Sequence, residues 1–456
     1  MMDIKNSDLI MDSEKVLISL GKFGRYQGVI YFLTNIIIIE QALQLMSMTF
    51  TSAEPPFTCL NEINQSNYTT DYNKKCYNEI FPNLTCLESG SSFKYESSFG
   101  ETIVSEWDLV CDDDYMGSVA SSVFFGGIMV GSLFITQLSD KYGRKWTLCI
   151  SCWAMTVFGT LSAFATSYGT FVFTRFLVGV TAAGVGFVSW VLCCEIVAPE
   201  LRSFTTIMPG ICWITGYLSL AGITYALQNW RKIYLAISLP FALTIAFAWI
   251  LPESLHWLIA TGKVEKSHNW IRNASSFNRI KLSINDQTLY KPPTKETQEQ
   301  RTIFDLIKNP LLVVYTIFFS YLWLTNAFVY YGLSLFSTEL GENRYESYII
   351  GGLAEIPATF FTPFMLKRFG RRKIGIVFHT FAAVFLLSMI LIPVDAPPVL
   401  LHLANFFGKF SISVTFIDMF LYTVEVYPTT VRTVGVGLCS MVGRLGSIVA
   451  PYAGNM

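Results

Sequence analysis

Along the 456-residue chain the apolar positions do not alternate in the period-2 pattern of half-buried strands; they gather into long runs divided by short polar stretches. A bilayer core about 30 Å thick asks for about 20 consecutive, mainly apolar residues per helix. Eleven segments reach that length: Tyr26 to Met48, Met116 to Leu138, Trp146 to Ala165, Tyr168 to Cys193, Phe204 to Leu227, Ile233 to Leu251, Leu311 to Leu333, Tyr348 to Leu366, Ile374 to Ile392, Val399 to Thr423 and Val434 to Tyr452. The pattern predicts an all-α membrane protein. Residues 1–25 form its polar N-terminus, 26–251 hold six spans, 252–310 form a polar linker with short amphipathic helices, and 311–456 hold the rest. The polar stretch before Gly21 leads straight into a full-length span, so no signal peptide is expected.

Lysine and arginine set the orientation, because short loops rich in them stay in the cytoplasm. The loop after the second span holds Lys141, Arg144 and Lys145; the loop after the eighth holds Lys367, Arg368, Arg371, Arg372 and Lys373; the linker holds nine, from Lys263 to Lys308. These loops, and with them the N-terminus, are expected in the cytoplasm. The loop at 51–115 has only Lys74, Lys75 and Lys94 beside twelve acidic residues and is expected outside. Arg231 and Lys232 sit on a short outer loop and count the other way. The outer loop also holds Cys59, Cys76, Cys86 and Cys111, an even number in an oxidising compartment, which makes two disulfides plausible. Its sequons at Asn64, Asn67 and Asn83 fit glycosylation.

Composition narrows the class. Hydrophobic residues make up 52% of the chain and charged residues 14%, too little charge to cover a soluble body of this size. A net charge of -1 offers no basic footprint for phosphate backbones, so nucleic acid is not an expected partner. The four His have no metal-ligand spacing, and no HExxH, Walker lysine or nucleophile elbow is present, so no enzyme, metal or cofactor is expected. Glycines from Gly179 to Gly186 lie inside an apolar span, where small residues let helices approach closely.

An internal repeat organises the chain. DKYGRK, from Asp140 to Lys145, recurs as KRFGRRK, from Lys367 to Lys373, at an offset of 370 minus 143, or 227 residues. Glu195, Pro199 and Arg202 recur at nearly the same offset as Glu425, Pro428 and Arg432. Parallel halves of six helices with a site at their interface are a transporter design. By the repeat a twelfth helix is expected, while the chain stops at Met456 as the eleventh span ends, so the sequence reads as C-terminally truncated.

GSLFITQLSDKYGRK from Gly131 resembles the signature of the major facilitator superfamily. GKFGRYQ at Gly21, EWDLVC at Glu106, LPESLHWL at Leu251, YYGLSL at Tyr330, EIPA at Glu355, EVYPTTVR at Glu425 and RLGSIVAPY at Arg444 narrow the resemblance to the organic cation, carnitine and organic anion transporters. Leu255 and His256 stand where that family has Pro and Arg. The resemblance implies the major facilitator fold, two six-helix halves with the twelfth helix missing here, and a plasma-membrane carrier.

Ionisable groups inside the membrane are costly unless they face a partner or a cavity. The resemblance assigns Glu355 and Arg444 to substrate charge: the family's cation carriers have an acid at the position of Arg444 and its anion and carnitine carriers an Arg, while Thr359 replaces the Lys that anion carriers place near Glu355. One fixed negative and one fixed positive charge suit a zwitterion such as carnitine. Trp190, Trp323 and Tyr330 match cavity positions of the family, with Phe187 beside them, and aromatic faces attract quaternary ammonium groups. Lys409 is placed on the path; Glu40 and Asp418 have no assigned role. A cytoplasmic gating clasp is expected from Asp140, Gly143, Arg144, Arg175, Glu195, Arg202, Gly370, Arg371, Glu425 and Arg432. The leading expectation is a carrier of small organic cations or zwitterions working by alternating access, with lipid around it and a coupling ion allowed. The competing readings are an organic anion carrier and a truncated, non-transporting binding or regulatory protein.

Overall fold

The computed structural model describes residues 10–60, 92–280, 289–290 and 308–454, apart from 12, 22, 97–98, 199–200, 202–204, 340–342, 394–395 and 429–430. The expectations for Cys76, Cys86, Asn64, Asn67, Asn83 and Arg202, and for the side chains of Cys59 and Arg432, fall outside the described residues. Eleven helices follow the apolar runs: α1 Arg25–Met46, α2 Met116–Tyr142, α3 Arg144–Ser162, α4 Tyr168–Ile196, α5 Ile207–Leu227, α6 Trp230–Ser238, α7 Pro310–Phe336, α8 Arg344–Phe369, α9 Arg371–Leu391, α10 Pro398–Val426 and α11 Arg432–Val449. Ten helical stretches among the described residues are long and apolar enough to cross a bilayer; α3, diluted by Ser and Thr and by Arg144 and Lys145 at its start, is the eleventh by position.

The sixth span differs from expectation. It runs as an α-helix only to Ser238, continues as a tight 3-10 stretch at Leu239–Ala246, and regains one α turn at Phe247–Ile250. Pro240 is the cause: its ring removes a backbone donor and clashes with the preceding turn, so the α-helix cannot run through it. Other starts are conventional. Ser167, Asn229, Asn309 and Asn343 accept backbone N–H bonds at the heads of α4, α6, α7 and α8, satisfying donors that have no partner within the helix.

Each half is sealed by glycines where backbone meets backbone. Between α2 and α4, a Cβ at Gly127, Gly131 or Gly179 would lie 2.1–2.2 Å from the carbonyl oxygens of Phe176, Val180 or Phe124. Between α7 and α11, a Cβ at Gly446 would lie 2.2 Å from Leu324 O. With no solvent term to drive transmembrane helices together, such contact supplies their packing energy. Gly131→Ala and Gly446→Ala are each expected to destabilise by about 1–3 kcal/mol through overpacking, read as a lower melting temperature in detergent. Gly126→Ala is the control, since nothing lies within 4 Å of a Cβ there, and melting indistinguishable among all three variants would disprove the seams.

At the end of the bundle that carries the basic loops, the short helix Ser13–Ser19 packs on Leu255–Ala260 and Val264–Asn278 through Leu17, Leu20, Leu255, Trp257 and Trp270. His256 meets Ser13 Oγ at 2.9 Å. At the opposite end, strands Phe57–Leu60 and Ser92–Tyr95 pair antiparallel, and Trp107 packs among Tyr168, Phe171 and Trp230. Cys111 is disulfide-bonded. Arg231 here pairs with Glu106 and donates to Ala163 O at 2.7 Å and Ala165 O at 2.8 Å. Its charge is thus neutralised in place, which explains why it counted against the loop-charge pattern.

Candidate substrate site and gating clasps

Glu355 on α8 and Lys409 on α10 form an ion pair at 3.2 Å with side-chain exposures of only 6% and 1%. From the sequence alone Glu355 is a fixed negative charge; its partner on α10 cancels it. The Lys409 ammonium is fully bonded. Lys409 Nζ, with three donors, also reaches Tyr330 O at 3.2 Å and the Ser334 hydroxyl, and it sits 3.4 Å over the Tyr330 ring. Tyr330 OH donates to Glu355 Oε1 at 2.7 Å and accepts from Trp213 Nε1 at 2.9 Å. Trp213 belongs to α5 in the first half and Tyr330 to α7 in the second, so the relay crosses between them.

Arg444 on α11 interacts with Tyr331, whose ring stands at 89° to that of Tyr330. The Arg444 guanidinium is 5.7 Å from the Phe187 ring centroid across the interface, and the residue as a whole is partly exposed. No carboxylate among the described residues lies within ion-pair distance of it. The site therefore has one neutralised locus, at Glu355 and Lys409, and one surplus positive locus, at Arg444.

Aromatics continue from these loci toward the basic end. Phe416 touches both Tyr330 and Trp323, Phe420 lies 4.6 Å from Trp323, and Trp190 reaches Phe420 at 6.3 Å from the first half. Trp323 is 4% exposed with its N–H held by Thr423 Oγ1 at 3.0 Å, so it packs α7 onto α10 rather than lining an open path. Phe416, Phe420, Trp213 and Tyr331 were not singled out from the sequence; the spacing of four between the two Phe, one turn of α10, was the available signal. Thr359 lies against Gly210 of α5, and Glu40 ties α1 to α3 by accepting from Thr156 Oγ1 at 2.9 Å.

The clasps repeat as the sequence does. Gly143 and Gly370 have φ of 106° and 80°, a left-handed backbone that favours glycine and turns the chain from α2 into α3 and from α8 into α9. Arg144 then bonds Ser139 O at 3.2 Å and Glu195, and Arg371 bonds Leu366 O at 3.3 Å and Glu425 at 2.6 Å, each carbonyl five residues before its Arg. Asp140 adds a 3.0 Å contact to Arg144, and Glu253 accepts from the N–H groups of Arg144 and Lys145 at 2.8 and 3.0 Å. Arg175 departs from expectation: it is buried near the opposite end of α4, bonded to Gln44 Oε1 at 3.0 Å and Gln44 O at 2.7 Å, and stacked on Phe124 and Tyr234. Glu195 is twenty residues on, about 30 Å along the helix, so the two cannot share a clasp.

Contacts between the halves gather at the end opposite the basic loops. Ser118 and Ser122 donate to Pro451 O at 3.0 Å and Ile448 O at 2.6 Å, Arg344 donates to Phe99 O at 2.7 Å, and Tyr217 stacks on Tyr348 at 4.2 Å. At the basic end, the ion pairs among the described residues stay within one half. That arrangement is a bundle shut at one end, which is one state of a rocking carrier.

Comparison with known proteins agrees. A family model described as sugar (and other) transporter matches residues 57–453. The chain is 32% identical to the organic cation transporter protein of Drosophila melanogaster, over 97% of this chain and 86% of that protein. It is 29% identical to organic anion transporter 3 of Oryctolagus cuniculus, over 97% and 85%. The partially occluded inward-open conformation of the xylose transporter XylE from E. coli aligns with a TM-score of 0.62 at 14% identity, covering 93% of this chain and 90% of that one. With the family model over most of the chain, the fold is that of a major facilitator superfamily carrier, spanning the membrane many times. Within that superfamily the chain belongs to the organic cation, carnitine and organic anion transporter family.

Proposed function

We propose that this carrier moves small organic solutes bearing a carboxylate or similar anionic group, bound at Arg444, by alternating access of its two halves. The observation that supports this reading is the charge balance: Glu355 is already matched by Lys409, while Arg444, itself partly exposed, has no carboxylate within ion-pair distance among the described residues. This favours the organic anion alternative over a simple cation. A zwitterion of the carnitine type is the second reading, since its carboxylate would take Arg444 while its ammonium met the rings of Tyr330 and Phe187. In this reading the protein sits in the plasma membrane with its basic loops and N-terminus in the cytoplasm and the glycosylated, disulfide-linked loop outside. Phe187, Tyr330, Trp190 and Lys409 shape the site, and the Arg144 and Arg371 clasps gate its cytoplasmic end.

Uptake of hippurate, carnitine and tetraethylammonium into cells expressing the protein, with sodium present and absent, tests this. Hippurate or carnitine uptake above mock-transfected controls is expected, with tetraethylammonium near background. Uptake of tetraethylammonium alone, or of none of the three despite shown surface expression, sinks the reading.

A further inference from the structure

The two clasps use the same arginine but not the same acids. Arg144 has two carboxylates, Asp140 at 3.0 Å and Glu195 at 3.2 Å. In the second half the residue matching Asp140 at the 227-residue offset is Lys367, and Arg371 engages one acid, Glu425. A second acid is nevertheless at hand. Asp418 lies on α10 two turns before Glu425, 1% exposed, with neither side-chain oxygen bonded among the described residues. Arg371 Nε is likewise without a partner among the described residues. The two groups interact electrostatically, and a Cβ at Gly375 would meet Asp418 Oδ2 at 3.0 Å. Gly375 is four residues after Arg371 and so shares its face of α9. The first half has Val188 and Leu148 at the matching positions, both apolar and buried, so the acid is not a relic of the repeat.

An ionised carboxylate without donors is costly inside a membrane bundle, so in this arrangement Asp418 holds a proton. We propose that Asp418 is a proton-binding site coupled to the second clasp: it keeps its proton while Arg371 is held by Glu425, and releases it to water at the basic end when Arg371 leaves Glu425 and turns to Asp418. The carboxylic O–H bond breaks, the guanidinium keeps its own protons, and one proton passes to solvent. Opening of this clasp and proton release are then linked, each favouring the other. The consequence for transport rests on the carrier reading above; the proton site itself does not.

Other ionisable groups on the packed elements are accounted for. On α9, Arg372 and Lys373 are exposed at its start, and His379 Nδ1 meets Gly375 O at 2.7 Å. On α10 and α8, Lys409 and Glu355 hold each other, His402, Arg344 and Glu346 lie in the first two turns at the far end of these helices, and Lys367 and Arg368 occupy the last turn of α8. No charged residue lies on α7, and α11 brings Arg444 beside Phe187.

Infrared difference spectra of the purified 456-residue chain against Asp418→Asn test the site without any substrate. The expected result is a protonated-carboxyl C=O band that Asp418→Asn lacks, that fades as pH rises, and that persists to higher pH in Arg371→Gln. Asp418→Val, which installs the first half's residue, must lack the same band and guards against a folding artefact. His379 and Glu40 remain in every variant and cancel in the differences. Absence of the band at every pH, or a band that neither pH nor Arg371→Gln alters, overturns the proposal. In cells, uptake of hippurate or carnitine is expected to vary with pH in the wild type and to lose that variation in Asp418→Asn; a transported probe whose uptake ignores pH in the wild type removes the coupling. Failure of every probe in the wild type would instead tell against the carrier reading, and the infrared titration would still decide the proton site.

Discussion

Arg444→Ala is expected to lower uptake of a carboxylate substrate by about a hundredfold at limiting concentration. Hydrogen bonds to charged groups contribute about 1.5–3 kcal/mol each, and about 2.7 kcal/mol corresponds to that factor. The guanidinium lies between Phe187 of the first half and Tyr331 of the second, so it can grip a substrate only where the halves meet. Arg444→Lys should recover part of the loss, because it keeps the charge and gives up the planar two-pronged donor. Arg444→Asp should reverse the preference, weakening hippurate and admitting tetraethylammonium. Initial uptake rates normalised to surface protein provide the measurement. Unchanged discrimination between anion and cation in Arg444→Asp would remove the selectivity argument.

Lys409→Met is expected to destabilise the protein by about 3–5 kcal/mol, the cost of leaving one member of a buried pair without the other. Glu355 would remain 4% exposed, bonded only through the Tyr330 hydroxyl among the described contacts. The double variant Glu355→Gln, Lys409→Met should regain most of that stability, because no buried charge is left to compensate. Thermal unfolding of the four proteins in the double-mutant cycle measures the coupling. Equal melting of Lys409→Met and the double variant would show that the pair carries no such energy. In transport, Lys409→Met should admit cations, since it restores the bare carboxylate that the sequence alone had implied.

The spans were legible because their signal is one-dimensional: twenty apolar residues look the same before and after folding. The clasps were legible for a related reason. A Gly-Arg turn that needs a left-handed glycine must be written locally, and it was written twice, at Gly143 and Gly370. The pairing of Glu355 with Lys409 was not legible, since the residues lie on different helices and meet only through the packing of α8 on α10. Arg175 was misplaced although the needed information was present. Its position near the N-terminal end of α4, counted at 1.5 Å per residue, already separates it from Glu195 by the depth of a membrane. Phe416 and Phe420 were hidden by abundance: in a chain that is 15% aromatic, few rings stand out before packing selects them.

The glycine contacts between α2 and α4, and between α7 and α11, bear on how movement is transmitted. Where backbone lies against backbone, neither helix can slide or tilt without a clash, so each pair behaves as a stiff lever rather than as two independent rods. In the proposed alternating-access cycle, rocking would pivot at the softer contacts between the halves, where Tyr217 lies on Tyr348 and Ser122 reaches Ile448 O. A small displacement around a substrate at mid-height becomes a larger one at the rims, about in proportion to helix length. Substitutions in the seams should therefore blunt the stroke as well as lower stability, leaving a carrier that binds its substrate but turns over slowly.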